Sequence, residues 1–107
     1  MLQSNRASYM DGTIISSDLV NAFCQRHHIR RLALFGSIVR DDFGPESDID
    51  VLVEFEEGRT PGLDFFLMED ELSKLLGRKV DLQTRNFLSA DILKNALSEA
   101  VEVYEQA

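Results

Sequence analysis

The feature of this sequence best suited to chemistry is a pair of aspartates at the start of an apolar segment. Asp48 and Asp50 flank Ile49 at the beginning of DIDVLVEF, residues 48–55. If this segment is a strand, side chains alternate between its faces, so both carboxylates lie on one face with Cα atoms about 6–7 Å apart. Carboxylates on so apolar a strand are costly unless they are compensated, and a divalent metal ion is the most economical candidate.

A glycine–serine pair precedes these aspartates at a defined spacing. Gly36 and Ser37 follow a short apolar run, and ten residues separate Ser37 from Asp48, which gives the pattern G-S-x10-D-x-D. Glycine lets the backbone approach a ligand closely, and a serine hydroxyl with the amides of a helix N-terminus can hold an anion. Arg40 could reach phosphates through its guanidinium fork. The structural alternatives are that Ser37 is an N-cap and that Arg40 pairs with a neighbouring acid.

A third carboxylate comes from later in the chain. In the segment 79–83, Asp81 alternates with apolar residues as in a strand. If this strand lies beside the strand of residues 49–55, Asp81 shares a face with Asp48 and Asp50. Two metal ions about 3.5–4 Å apart need bridging carboxylates, and a third carboxylate can polarise an incoming hydroxyl. The three acids therefore favour two Mg²⁺ ions with a nucleoside triphosphate, whereas the alternative is a set of solvated acids at strand ends.

Hydrophobic spacing predicts the elements that must position these residues. They are a helix from Ser17 to about His27, a strand from Arg31 to Phe35, a short helix from Ser37 to about Asp42, a strand from Ile49 to Phe55, a helix from Leu63 to Leu76 ended by Gly77, a strand from Lys79 to Gln83, and a helix capped by Ser89 or Asp91 that continues to Val101. This order indicates a small α/β (α+β) domain with helices packed on three or four strands. We expect a flexible N-terminal lead-in at residues 1–12 and one domain at 13–107.

Composition limits the functional class. The chain has 107 residues, a net charge of −8 and a single cysteine, Cys24. One domain with one core is expected at this length. The negative charge argues against a polymerase or direct nucleic-acid binding, but it is compatible with a metal-bound nucleotide and with a basic protein partner. Without a long apolar run or a possible internal disulfide, we expect no membrane association and a reducing, cytoplasmic location.

The combined motif resembles a known superfamily. GS-x10-D-x-D with a later strand aspartate is similar to the nucleotidyltransferases related to DNA polymerase beta. The compact chain resembles the minimal nucleotidyltransferases (MNT), which are often encoded as antitoxins beside HEPN-domain toxins. The resemblance extends from Arg30 through LFGSIVR, SDIDVLVEF and LLGRKVDLQTR to the closing EAVEVYE. Many relatives read x-A-R-G after the serine, whereas this chain reads Ile38, Val39, Arg40, Asp41.

The resemblance also implies an activity and a set of site residues. It implies a mixed sheet, ATP with Mg²⁺, and transfer of AMP to a hydroxyl with pyrophosphate leaving. By position, Gly36 and Ser37 match the phosphate-holding pair, Asp48 and Asp50 match the metal aspartates, and Asp81 matches the third carboxylate. For antitoxins of this kind, the acceptor is a tyrosine of the HEPN toxin, whose RNase activity is thereby silenced.

We therefore expect an ATP- and Mg²⁺-dependent protein adenylyltransferase that acts as the antitoxin of a HEPN toxin. Two alternatives remain at this stage. An inactive antitoxin could block its toxin by occlusion, since Val39 and Asp41 alter the phosphate loop, or the enzyme could modify a small molecule such as an aminoglycoside. A homodimer is also compatible with the exposed faces of the short helices.

Overall fold

The strands that the structure describes form two sheets. The computed structural model describes residues 7–10, 13–40 and 44–106. Strands β1 (Ala7–Met10) and β2 (Thr13–Ser16) pair antiparallel. Within the described residues, four further strands form the main sheet: β3 (Ile29–Phe35), β4 (Ile49–Phe55), β5 (Val80–Gln83) and β6 (Val101–Glu105). Their order is β5-β4-β3-β6, with β4 parallel to β5 and the other two pairs antiparallel, so the sheet is mixed.

The helices connect these strands and have clear sequence signals at their ends. They are α1 (Ser17–Arg26), α2 (Asp64–Leu76) and α3 (Ala90–Glu99), and two short 3-10 helices span Gly36–Val39 and Arg85–Phe87. Helix α2 ends at Gly77, whose φ of +75° lies in the left-handed region that glycine adopts easily. Helix α3 begins after Ser89, whose side chain accepts a hydrogen bond from the Ile92 amide.

One face of the main sheet packs against α1 and α2 and forms the larger core. Its buried side chains are Val20, Phe23, Cys24, Ile29, Leu32, Leu34, Ile38, Ile49, Val51, Val53, Phe65, Met68, Leu72, Leu76, Val80 and Leu82. Alternate residues of β4 and β5 supply this core, so the residues between them point to the other face of the sheet. Burial of Ile49, Val51, Val80 and Leu82 thus directs Asp50 and Asp81 together to the opposite side.

Helix α3 covers part of that opposite side. Phe35 of β3, Leu52 of β4 and Ala96 of α3 form a second, smaller core, with Leu88, Leu93 and Ala100 packed against it. The sheet therefore has helices on both faces. The carboxylates of Asp50 and Asp81 lie on this face. Both side chains are half-buried, because α3 covers the face only in part.

The structure confirms the predicted fold class and most predicted elements. The helices before and after β4, the strands β3 to β5 and the Gly77 stop lie close to their predicted positions. The prediction that Ser37 caps a short helix is wrong. Gly36 leaves β3 with a φ of +76° and starts the 3-10 turn one residue earlier, so that Ser37 lies within it. The predicted end of that helix, near Asp42, lies outside the described residues.

The C-terminal prediction is also wrong in one respect. The last helix was predicted to continue through Ala100 to Val101, but α3 ends at Glu99 and the next five residues form β6. Strand β6 pairs with β3, whose edge supplies the backbone hydrogen-bond partners. Of the predicted lead-in at residues 1–12, the structure describes only β1, and the domain boundary stays a prediction. None of the described helices is long and apolar enough to cross a membrane.

Two leucines of α2 test the assignment of the core. Leu72 is 0% exposed, whereas Leu67, on the same helix, is 69% exposed. We expect Leu72→Ala to lower the free energy of unfolding by about 2–5 kcal/mol, because it leaves a cavity between helix and sheet. Leu67→Ala should change it by less than about 0.5 kcal/mol. Urea denaturation followed by circular dichroism measures both, and equal losses would contradict the core described here.

Candidate active site

Two of the predicted carboxylates meet where β4 and β5 run side by side. Asp50 is the direct partner of Asp81 in the register of this parallel pair, so both side chains lie on one face of the sheet. The strand adjacency on which the sequence prediction depended is therefore observed. Helix α2 holds β5 in place at its outer edge, because the Val80 amide donates to Ser73 Oγ at 2.9 Å and the Leu82 amide donates to Glu69 Oε2 at 2.8 Å.

Asp50 has a perturbed acidity. Its pKa is raised from 3.8 to about 6, first by burial and then by the nearby carboxylates of Asp81 and Asp48. The Arg40 guanidinium opposes this shift but does not cancel it. A half-buried carboxylate that is destabilised by two others favours a bound cation, because the cation would relieve both the desolvation and the repulsion.

Asp48 and Asp81 each lie close to a polar side chain, that of Asp48 just before β5 and that of Asp81 within β5. Asp48 directly precedes β4, and its Oδ2 atom lies 3.8 Å from Lys79 Nζ. Asp81 Oδ1 accepts a hydrogen bond of 2.7 Å from Gln83 Nε2. The sequence patterns indicated no role for Lys79 or Gln83. Their positions two residues before and after Asp81 place all three side chains on one face of the strand, which was the available signal.

An arginine fixes the loop that leads into Asp48. Arg78 Nη2 donates to the carbonyl oxygens of Gly44 at 2.7 Å, Pro45 at 3.3 Å and Ser47 at 2.8 Å. This side chain ties the start of β5 to the turn before β4. The entry of both aspartate-bearing strands is thus fixed by one guanidinium, a contact that sequence spacing did not indicate.

The glycine–serine turn lies directly against Asp50. Gly36 adopts a φ of +76°, and a Cβ atom added to it would lie 2.1 Å from Asp50 Oδ2. Glycine is therefore required both by the backbone conformation and by the available space. Ser37 lies half-buried in the same 3-10 turn. The sequence spacing groups Gly36 and Ser37 with the aspartates, and the structure brings Gly36 into contact with one of them, Asp50.

Glu99, which no sequence pattern indicated, contacts both Gly36 and Arg40. Glu99 Oε2 accepts a 2.6 Å hydrogen bond from the Gly36 amide, and Arg40 Nη1 lies 3.2 Å from Glu99 Oε1. A cleft of about 250 Å³ opens here, and Gly36, Arg40, Asp50 and Glu99 contribute to its lining. The cleft joins Asp50 to the Gly36 turn, whereas Asp48, Asp81 and Ser37 are not among the residues that line it.

The donor set fits Mg²⁺ that is completed by a substrate. Among the residues that the structure describes, no group of three or more His, Cys, Asp or Glu side chains forms a cage that could hold a metal ion by itself. Mg²⁺ commonly takes only one or two protein carboxylates and fills its remaining positions with phosphate oxygens and water. Asp48, Asp50 and Asp81 offer such oxygen ligands, and the raised pKa of Asp50 reflects first its burial and then the negative charge of its neighbours.

Comparison with known proteins identifies the family. Residues 16–103 match the nucleotidyltransferase domain family. This chain belongs to that family. As a nucleotidyltransferase, it takes a nucleotide as substrate. The protein adenylyltransferase MntA of Thermococcus cleftensis is similar over 80 residues at 41% identity, which covers 74% of this chain and 79% of the relative.

Solved structures place this nucleotidyltransferase in the minimal branch of the family. A solved candidate minimal nucleotidyltransferase has a TM-score of 0.66 and 38% identity, with 79% of this chain and 86% of that chain covered. A chain in the complex of tri-AMPylated Shewanella oneidensis HEPN toxin with MNT antitoxin has a TM-score of 0.62 at 16% identity, with 84% and 70% covered. At that identity the second likeness shows the shared fold.

Two glycines of this nucleotidyltransferase test the close approach of the turn to Asp50. Gly36 and Gly58 have φ of +76° and +77°, but a Cβ at Gly58 would meet nothing within 4 Å. Both alanine variants should lose about 1–2 kcal/mol from the left-handed backbone. Gly36→Ala should lose clearly more than Gly58→Ala, because Asp50 must also move. Urea denaturation measures both variants, and equal losses would show that the contact with Asp50 is loose.

The pKa of Asp50 predicts a pH-dependent stability in the metal-free protein. Because that pKa is raised in the folded state, the native protein binds this proton more tightly than the unfolded chain does. The resulting stability is complete below about pH 3.8 and is lost as the pH rises through about 6. Asp50→Asn should therefore gain stability relative to the wild type as the pH rises, by about 1 kcal/mol at pH 7 after solvent screening.

Urea denaturation of both proteins with a chelator between pH 4 and 7 measures this difference. Asp70→Asn is the matched control, since Asp70 is 65% exposed and pairs with Lys74 on α2. A stability difference between Asp50→Asn and the wild type that does not change with pH would contradict the assigned shift.

Proposed function

We propose that this nucleotidyltransferase transfers AMP from ATP to a hydroxyl of a HEPN toxin, with Mg²⁺, and so acts as an antitoxin. The observation that carries the proposal is the direct pairing of Asp50 with Asp81 beside the Gly36 turn. A relative named as a protein adenylyltransferase and a fold shared with an MNT antitoxin in complex with its AMPylated toxin support the choice of acceptor. A tyrosine is the acceptor side chain that we propose.

The nucleotide is held by the turn and the carboxylates in this proposal. The Ser37 hydroxyl and the Arg40 guanidinium bind the phosphates, and the glycine conformation of Gly36 lets the backbone come close to them. Asp48, Asp50 and Asp81 would hold two Mg²⁺ ions, which when bound neutralise phosphate charge and orient the triphosphate for in-line attack. The cleft beside Asp50 gives the α-phosphate access to an incoming side chain.

The chemical step exchanges a phosphoanhydride bond of ATP for a phosphoester bond to the acceptor. The tyrosine oxygen attacks the α-phosphorus of ATP, the bond from this phosphorus to the oxygen bridging the β-phosphorus breaks, and pyrophosphate leaves. Asp81 accepts the proton of the attacking hydroxyl, with its carboxylate held by Gln83. Asp50, on the neighbouring strand, contributes fixed negative charge that attracts the ions. The toxin gains AMP and loses the free hydroxyl.

The charge of the chain is compatible with a protein acceptor. A net charge of −8 disfavours a nucleic-acid substrate and favours a partner with a basic surface. Val39 had suggested an altered phosphate loop, but its side chain packs against the larger core and not into the cleft. Asp41 and Asp42, the other departures from the family pattern, lie outside the described residues.

A transfer assay tests the proposal directly. The chain is incubated with Mg²⁺, ATP labelled at the α-phosphate, and a HEPN-domain toxin from the same organism. We expect label on the toxin, and each of Asp48→Ala, Asp50→Ala and Asp81→Ala should reduce the rate by at least about 100-fold, because each removes charge that orients or stabilises the transferred phosphoryl group. The matched control Asp70→Ala should transfer at the wild-type rate, since Asp70 lies on the exposed side of α2.

Other outcomes of this assay would refute the proposed transfer or indicate a different function. If the wild type labels no toxin, or if Asp48→Ala labels it at full rate, the proposed transfer is refuted. If the Asp48→Ala/Asp50→Ala double variant still neutralises the toxin in cells, the antitoxin works by binding and occlusion. Label on an aminoglycoside and none on the toxin would indicate a small-molecule acceptor. Tandem mass spectrometry of the labelled toxin identifies the modified residue and counts the AMP groups.

A further inference from the structure

The Glu99 side chain links α3 to the Gly36–Ser37 turn and to Arg40, which together form the proposed phosphate-binding corner. Its Oε2 atom accepts the Gly36 amide hydrogen at 2.6 Å, and Arg40 Nη1 lies 3.2 Å from Oε1 and 3.4 Å from Oε2. The Glu99 side chain is 25% exposed, whereas that of Arg40 is 53% exposed. A half-buried carboxylate thus contacts both the amide that starts the turn and the guanidinium of Arg40.

The surroundings of Glu99 are unfavourable for an acid. It is the last residue of α3, where the helix dipole disfavours negative charge. Its carboxylate also lies close enough to Asp50 to add to the repulsion at that group. The Gly36 amide and the Arg40 guanidinium offset these costs through charge-assisted hydrogen bonds. Without them this position would favour a neutral or basic residue, so the acid is explained by the turn that it holds.

The contact restrains the degrees of freedom on which phosphate binding depends. Gly36 can adopt many backbone conformations, and an exposed arginine can adopt many rotamers. A bond to the first amide of the turn fixes the direction in which Ser37 follows. Within the described residues, the Ser37 hydroxyl itself makes no hydrogen bond. The pairing with Glu99 engages Nη1, one of the three nitrogens of the Arg40 guanidinium.

We propose that Glu99 is a positioning residue of the nucleotide site, which fixes the Gly36–Ser37 turn and the Arg40 guanidinium in the orientation that receives the triphosphate. It does not touch the reacting atoms. Because Glu99 already orders the turn and Arg40, less conformational entropy is lost when the nucleotide binds. This preorganisation strengthens binding. This inference rests on the proposed function, because it assigns the ligand of the corner as a nucleoside triphosphate.

Binding of the ATP analogue AMP-PNP with Mg²⁺ tests Glu99 by isothermal titration calorimetry. Glu99→Ala should raise Kd by about tenfold, since it removes a hydrogen bond to a charged group and an ion pair. Glu99→Gln should raise Kd by only about threefold, because its amide oxygen can still accept the Gly36 hydrogen while the pairing with Arg40 is lost. Partial rescue by glutamine separates positioning from a merely structural role.

Glu102→Ala is the matched control. Glu102 follows Glu99 by three residues and forms an ion pair with Arg31 on β3, outside the cleft, at 2.5 Å. This variant should keep the wild-type Kd even if its melting temperature falls. In the transfer assay, Glu99→Gln should raise the KM for ATP more than it lowers kcat, because the residue acts on binding.

Each result has a definite meaning. Tighter binding by Glu99→Ala would overturn the proposal and show that Glu99 obstructs the site. Unchanged binding by Glu99→Ala would also overturn it. If Glu99→Ala does not fold, Glu99→Gln decides alone, and wild-type affinity in that variant refutes the positioning role. If the wild type binds no AMP-PNP, the proposed function fails and this inference fails with it. If the wild type binds AMP-PNP and both Glu99 variants bind it with the same Kd, only this inference is refuted.

Discussion

The parallel pairing of β4 with β5 is the constraint on which the site depends. It places Asp50 beside Asp81 on a partly covered face, where burial and the neighbouring carboxylates disfavour ionisation of Asp50 and raise its pKa. This arrangement persists because the opposite face of the same two strands is fully buried against α1 and α2. A shift of one residue in the register would exchange the two faces, so the energy of the core enforces the geometry of the carboxylates. Packing of the buried face therefore keeps Asp50 in an unfavourable position on the opposite face.

The second core gives α3 a role beyond covering the sheet. Phe35 and Leu52 are buried beneath this helix, and Phe35 immediately precedes the glycine–serine turn. Packing there fixes the end of β3 and the last turn of α3 relative to each other. The contact between Glu99 and the Gly36 amide follows from that packing. The proposed phosphate-binding corner is therefore connected to the C-terminal segment, because β6 follows α3 and pairs with the strand that carries the turn.

The corner combines charges of both signs in an acidic protein. Asp48, Asp50 and Asp81 supply negative charge, while Arg40 and Lys79 lie beside them. A metal-bound triphosphate has the complementary pattern, since its ions require carboxylates and its phosphates require cations. A purely acidic surface would attract ions but repel their nucleotide. The two cations explain how a chain with a net charge of −8 can form a site for an anionic substrate.

The sequence by itself determined the features that depend on neighbouring residues. Alternation in DIDVLVEF determined which face of β4 carries Asp50, and the spacing from Gly36 indicated the family and its chemistry, because local periodicity and short loops leave few alternatives. Only the tertiary structure decided which strands become neighbours, that the segment after Glu99 leaves the helix to pair with β3, and that Glu99 reaches the Gly36 amide. The physical reason is that these contacts join distant parts of the chain, and their geometry is set by the packing of two cores.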